Sequence, residues 1–181
     1  MSRVQFPDGF RIEPLRRDHP RKSFRSGQVE VDAWLTTKAF QNQEKRLSVT
    51  RVLVNEDTRL AGFYTLATGE VDFSDLPPEV IHKLPRRRLP VAILAWLGVD
   101  ASFQGQGLGQ RLLAQSLRDA YEAGRTFAFI AIILDCVNDQ AKAFYQKYDF
   151  RELPGHANRL FLGAQQLEVL MEVRSSPEGE T

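Results

Sequence analysis

The chain is poor in the residues that disulfide and metal chemistry need. It has one cysteine, Cys136, and three histidines, His19, His82 and His156. A single thiol excludes a disulfide within the chain and fits a reducing compartment. The histidines show no ligand spacing, so no metal is expected. Long apolar runs are lacking too: the longest are broken by Asp or Gly, which excludes a membrane-crossing helix. Residues 1–7 have no apolar stretch of the kind a secretory leader carries. These absences lead to the expectation of a cytoplasmic protein away from membranes. An excess of either charge is also missing, since 24 Lys and Arg stand against 23 Asp and Glu, a formal net charge of +1.

What is present is an ordinary globular composition. Of 181 residues, 43% are hydrophobic and 26% charged. A chain of this size buries about 70% of its unfolded surface, enough for one core. One domain over residues 1–174 is expected, with a frayed tail at 175–181. Positive charge gathers in two runs, 16–22 and 83–88. A local basic field can draw a polyanion, and an isolated run can equally be a solvated face.

Periodicity outlines the elements. A strand is expected at 10–15, ended by Pro14, and a helix at 29–46 with Val31, Trp34, Leu35 and Phe40 on one side. Runs 49–54 and 60–66 read as a hairpin. Prolines 77, 78, 85 and 90 mark a loop holding a short helix near 79–83. The apolar run 91–99 reads as a buried strand. A helix over 107–123, a buried strand over 127–134, a helix over 138–148 and a last strand over 167–173 complete the order. Alternation of strand and helix predicts an α/β domain with a mixed central sheet flanked by helices.

The informative segment joins Leu97, Gly98 and Val99, at the end of a strand, to Gln104, Gly105, Gln106, Gly107, Leu108, Gly109 and Gln110, where a helix begins. The first N–H groups of a helix lack partners and sit at the positive end of its dipole. Glycines there let a phosphate approach those groups. The spacing is neither the full dinucleotide fingerprint nor a P-loop, and a plain glycine turn is the competing reading.

Gln104-x-x-Gly107-x-Gly109 after Leu97-Gly98-Val99-Asp100 resembles the acetyl-coenzyme A signature of the GNAT superfamily. A second block, Asn138-Asp139-Gln140-Ala141-Lys142-Ala143-Phe144-Tyr145 followed by Tyr148-Asp149-Phe150, is similar to that family's later motif. In the N-terminal half, Phe24-x-Ser26-Gly27, Asp32-x-Trp34-Leu35, Ala39-x-x-Asn42-Gln43 and Gly62-Phe63-Tyr64-Thr65-Leu66-Ala67-x-Gly69 resemble the GNAT toxins of bacterial toxin–antitoxin modules. Two positions depart from that pattern: Trp96 stands where an arginine is usual, and Asp149 where a glycine is usual. The first bears on the acceptor. The second falls at a helix end, where Asp tolerates a left-handed backbone.

The resemblance implies a GNAT fold with acetyl-CoA bound at a splay between the two central parallel strands. It implies transfer of an acetyl group to a primary amine, the α-amine of aminoacyl-tRNA in the toxin group, with a homodimer and a small antitoxin as partners. The strand at Leu97, Gly98 and Val99 and the side chain of Asn138 would hold the pantetheine arm, and the segment Gln104 to Gln110 the pyrophosphate. Trp96 and the run Arg86, Arg87, Arg88 would face the acceptor, the arginines on its phosphates or simply in a solvated loop.

Acyl transfer needs a proton for the departing thiolate. Tyr145, a phenol with a pKa of about 10, stays protonated at neutral pH and is the candidate general acid. Asp135 is a candidate base. Cys136 reads as a small buried residue rather than a nucleophile. Two other readings stay open: acetylation of a small-molecule or protein amine, and a non-catalytic CoA-binding interaction module.

Overall fold

The computed structural model describes residues 4–173. Its main elements, in chain order, are β1 (Arg11–Pro14), α1 (Val29–Ala33), a π-helical turn (Trp34–Lys38), α2 (Ala39–Glu44), β2 (Val49–Val54), β3 (Leu60–Asp72) and α3 (Pro78–Ile81). There follow β4 (Arg88–Val99), α4 (Leu108–Gly124), β5 (Ala131–Asp135), α5 (Asp139–Gln146), β6 (Arg151–Leu153), β7 (His156–Gly163) and α6 (Ala164–Val173). The strands form one mixed seven-stranded sheet in the order β1-β2-β3-β4-β5-β7-β6. The parallel ladder between β4 and β5 pairs Ala92 with Ile132 and Ile93 with Ile133, and β4 itself runs on to Val99.

The described residues divide into two compact units. One, the glycine-loop unit, draws on residues up to Ala67 and on Leu94–Leu117. The other, the tyrosine unit, draws on Thr68–Ile93 and on residues from Arg118 onward.

In the glycine-loop unit β1, β2 and β3 pair antiparallel, with Ile12 opposite Leu53 and Val52 opposite Phe63. Inward residues of β2 and β3, with Leu15 just after β1, meet Val31 and Leu35 of the helical run in one apolar cluster with Phe24. The expected helix over 29–46 is present, with a π-helical turn in its middle. Thr36 Oγ1 donates to the Asp32 carbonyl at 2.8 Å and Thr37 Oγ1 to that of Ala33 at 2.7 Å. Hydroxyls bonded back to the preceding turn compete with the regular backbone ladder and distort it.

In the tyrosine unit Val71, Leu89, Val91, Ile133 and Phe161 share a second cluster. Two sequence expectations fail here. The strand expected over 127–134 begins only at Ala131, and Phe127 is 76% exposed. The strand expected over 167–173 is a helix, α6, in which Leu167 and Met171, one helical turn apart, are buried and Glu168 and Glu172 exposed. The place beside β5 is taken instead by β7, which pairs antiparallel with β5 and forms a hairpin with β6. Pro154 and Gly155, the latter at φ +77°, make the turn. Asp149 has φ +67°, the left-handed backbone expected for it. The tail expected to fray lies outside the described residues.

Candidate active site

In the glycine-loop unit, β4 ends at Val99 and the chain turns on Asp100. Asp100 is 4% exposed and its carboxylate is held from several sides. Its Oδ2 accepts the Arg25 N–H at 2.9 Å, its Oδ1 the Ser102 N–H at 2.9 Å, and the Arg59 guanidinium stands 3.9 Å away. Burial alone pushes its pKa up. The N–H donors of Arg25 and Ser102 and the Ser102 hydroxyl outweigh that, so it lies below the usual carboxylate value. The Ala101 N–H returns a bond to the Arg25 carbonyl at 2.7 Å.

Gln104 has a role the sequence did not reveal. Its Nε2 donates to the carbonyls of Ser26 and Val99, at 2.8 and 2.9 Å. The side chain expected to serve a cofactor is thus engaged within the protein. Leu108 is likewise 1% exposed, buried in the core, so any ligand contact there is made by its backbone. Gly105 and Gly107 stand at φ +79° and +75°, and a Cβ added to either meets nothing within 4 Å. Space therefore lies open over the turn that leads into α4, where Gly109 and the exposed Gln110 follow in the first helical turn. Gln106 is exposed between the two glycines.

Gly98 is required by packing as well. A Cβ on it would lie 2.7 Å from Val31 and 3.1 Å from Phe63, so only glycine lets α1 sit against this strand. Leu97 and Val99 are half-buried on either side of it. Trp96 stacks on Trp34, ring centroids 5.3 Å apart and planes 15° from parallel.

In the tyrosine unit, α5 begins with Asn138 as its cap, Oδ1 accepting the Ala141 N–H at 2.8 Å. The oxygen of that carboxamide is committed to the helix, which leaves its nitrogen to donate. Tyr145 is 8% exposed, with the Phe144 and Phe150 rings edge-on at 5.2 and 5.8 Å. Burial pushes its phenol pKa well above the ordinary value, and the Cys136 sulfur adds to the shift. No hydrogen bond to its hydroxyl forms among the described residues. Cys136 is buried as expected, and burial raises its thiol pKa.

The base candidate is Asp135, at the end of β5. Asp135 is held by Arg159 through two bonds, Nε to Oδ1 at 2.8 Å and Nη2 to Oδ2 at 3.0 Å, which fix its carboxylate beside a cation. Arg86, Arg87 and Arg88 are all exposed. Arg88 pairs with Glu70 at 3.0 Å, while Arg86 and Arg87 carry no side-chain ion pair among the described residues.

A mixed sheet whose strand β4 runs into a glycine turn and a helix start is the frame of the GNAT class of N-acetyltransferases. The Acetyltransferase (GNAT) family matches residues 12–150, and the chain belongs to that family. It is similar to the tRNA-acetylating toxin of Mycobacterium tuberculosis, 35% identical over 140 residues, covering 77% of this chain and 83% of that protein. Among solved structures it is similar to AtaT complexed with acetyl-methionyl-tRNAfMet, with a TM-score of 0.82 and 25% identity over 90% of this chain and 99% of that one. The crystal structure of AtaTR bound with AcCoA gives a TM-score of 0.80 and 26% identity, covering 91% and 99% of the two chains. No described helix is long and apolar enough to cross a membrane.

Proposed function

We propose that residues 1–174 act as one toxin-type transferase that moves the acetyl group of acetyl-CoA to the α-amine of an aminoacyl-tRNA in the cytoplasm. The observation that carries this is the turn at Gly105 and Gly107. Two left-handed glycines under open space, at the start of a long helix, fit a pyrophosphate. The name of the Mycobacterium tuberculosis relative and the tRNA held by AtaT support the acceptor class, and the AcCoA held by AtaTR supports the donor.

In this reading the backbone N–H groups from Gly105 to Gly109 receive the pyrophosphate, with Gln104 fixing the turn by its bonds to Ser26 and Val99. The strand at Leu97, Gly98 and Val99 offers peptide groups to the pantetheine arm, as does the Asn138 amide nitrogen. When bound, acetyl-CoA supplies the acetyl group as a thioester. Tyr145 holds a proton on Oη, ready for a sulfur that leaves as thiolate, and its apolar surroundings keep that proton in place at neutral pH. The α-amine of an aminoacyl ester is less basic than a lysine amine. Much of it is neutral without a protein base, and with Asp135 engaged by Arg159 the proton passes to water. Arg86 and Arg87, which carry no side-chain ion pair among the described residues, supply cations for phosphates. A homodimer and a small antitoxin are the partners proposed.

The test is acetyl transfer from labelled acetyl-CoA to a pool of aminoacylated tRNA, with uncharged tRNA and free amino acids alongside. Label confined to the aminoacyl group of charged tRNA is expected. Label on free amines at equal rate contradicts the acceptor.

A further inference from the structure

The chain contains two tryptophans, and they lie on each other. Both are half-buried and packed against the core of the glycine-loop unit. Trp34 opens the π-helical turn, a distortion of the ladder that recurs at functional positions. Its indole N–H donates to Thr65 Oγ1 at 3.1 Å. Thr65 Oγ1 in turn shares a 2.8 Å hydrogen bond with Thr50 Oγ1, and both threonines are fully buried. Gln43 closes the series: its Oε1 accepts the Thr50 N–H, and its Nε2 donates to the Leu15 carbonyl.

A polar string through an apolar core gains little net stability, because each bond replaces one made to water. What it achieves is a single orientation for the Trp34 ring and, through the stack, for Trp96. The pair is also tied to the glycine loop. Trp96 lies directly before Leu97, Gln104 links the Val99 and Ser26 carbonyls, and Ser26 bonds to Asp32, two residues before Trp34. Aromatic rings fixed in advance and partly open bind a flat ligand at small entropic cost.

Resting on the aminoacyl-tRNA reading above, we infer that the Trp34–Trp96 stack is the platform for the terminal base of the acceptor strand, with Thr65 as its positioning residue. The aminoacyl ester is carried on the ribose of the terminal adenosine. The flat group nearest the reacting amine, and common to every acceptor, is therefore that adenine. An indole face takes a base by stacking and does not read the aminoacyl group.

Because both tryptophans are in the stack, intrinsic indole fluorescence reports on it alone. The protein is titrated with the trinucleotide cytidylyl-cytidylyl-adenosine and with the same trinucleotide carrying an abasic terminal sugar. The first is expected to quench saturably and the abasic form is not. In Trp96→Ala the affinity for the first falls about tenfold or more. Thr65→Val, which keeps both indoles, weakens it by about threefold through loss of orientation. Trp96→Phe retains a flat ring and covers the case in which the alanine variant fails to fold; its affinity is expected to stay within about threefold of wild type. Equal binding of the two trinucleotides, or no quenching by the first at millimolar concentration, overturns the platform. Label transfer to charged tRNA by the wild type is read in parallel. Its absence removes the functional reading, whereas transfer without base-dependent quenching removes only the platform.

Discussion

The loop from Asp100 to Gly107 and the helix that carries Tyr145 differ in what holds them. The loop is fixed chiefly by side chains bonding to backbone: Asp100 to the N–H groups of Arg25 and Ser102, Gln104 to the carbonyls of Ser26 and Val99. Helix α5 has a polar cap, Asn138, and a tether in Lys142, which bonds to the Ala157 carbonyl and pairs with Glu152, while Tyr145 itself is seated by the Phe144 and Phe150 rings. The difference follows from what each must leave free. A turn that offers backbone N–H groups to an anion has to be anchored by other atoms. A phenol that must keep its proton is best surrounded by groups that neither accept that proton nor stabilise the phenolate.

The largest expected break in this contrast is Tyr145→Phe. Loss of a general acid lowers kcat by about 100- to 10,000-fold. The hydroxyl has no partner among the described residues, so the melting temperature should hold; single-turnover rates and a thermal melt check both halves. The same burial sharpens the contrast in pH. With its pKa raised above the ordinary value of about 10, Tyr145 stays protonated, so the kcat profile should show no alkaline fall below about pH 10.

Next in size is Gly107→Val. A left-handed backbone costs an L-residue about 1–2 kcal/mol, and a branched residue more. Its side chain would also project into the open space over the turn, and acetyl-CoA affinity measured by calorimetry should fall further than stability does.

Asp100→Asn is smaller: one neutral oxygen cannot serve both N–H donors, at a cost of about 1–3 kcal/mol. The folded pKa of Asp100 is depressed, so its contribution is complete above the unfolded value of about 4 and is lost as pH falls through the folded one. Wild type and variant should therefore differ in denaturant midpoint at neutral pH and converge in acid. The smallest effect is expected from Arg86→Ala combined with Arg87→Ala, which should leave kcat unchanged and flatten the salt dependence of charged-tRNA binding by roughly one to two units of log–log slope.

Much of the frame was legible in the sequence because its periodicity is strong. The stripe Leu108, Leu112, Leu113, Leu117 marks α4, and the unbroken apolar run marks β4. The β6–β7 hairpin is not legible in the sequence because His156, Ala157, Asn158 and Arg159 are exposed and carry no strand-like alternation. Its turn falls at Pro154-Gly155. Helix α6 reads as a strand because Leu167-Glu168-Val169 opens with a strand-like alternation, while the four-residue spacing of Leu167 and Met171 decides the outcome. At the candidate site the glycine turn and Tyr145 are singled out by motif. The anchoring roles of Gln104 and Asp100 are not, since both depend on Arg25 and Ser26, distant in sequence. The Trp34–Trp96 stack was hidden for the same reason.

The central claim is tested most directly by incubating charged tRNA and acetyl-CoA with the wild type and with Tyr145→Phe, digesting the tRNA with nuclease and weighing the released aminoacyl-adenosine. An acetyl group on the α-amine, formed rapidly by the wild type and slowly by the variant, is the expected result. Unmodified aminoacyl-adenosine from both, with acetyl-CoA binding intact, would contradict it.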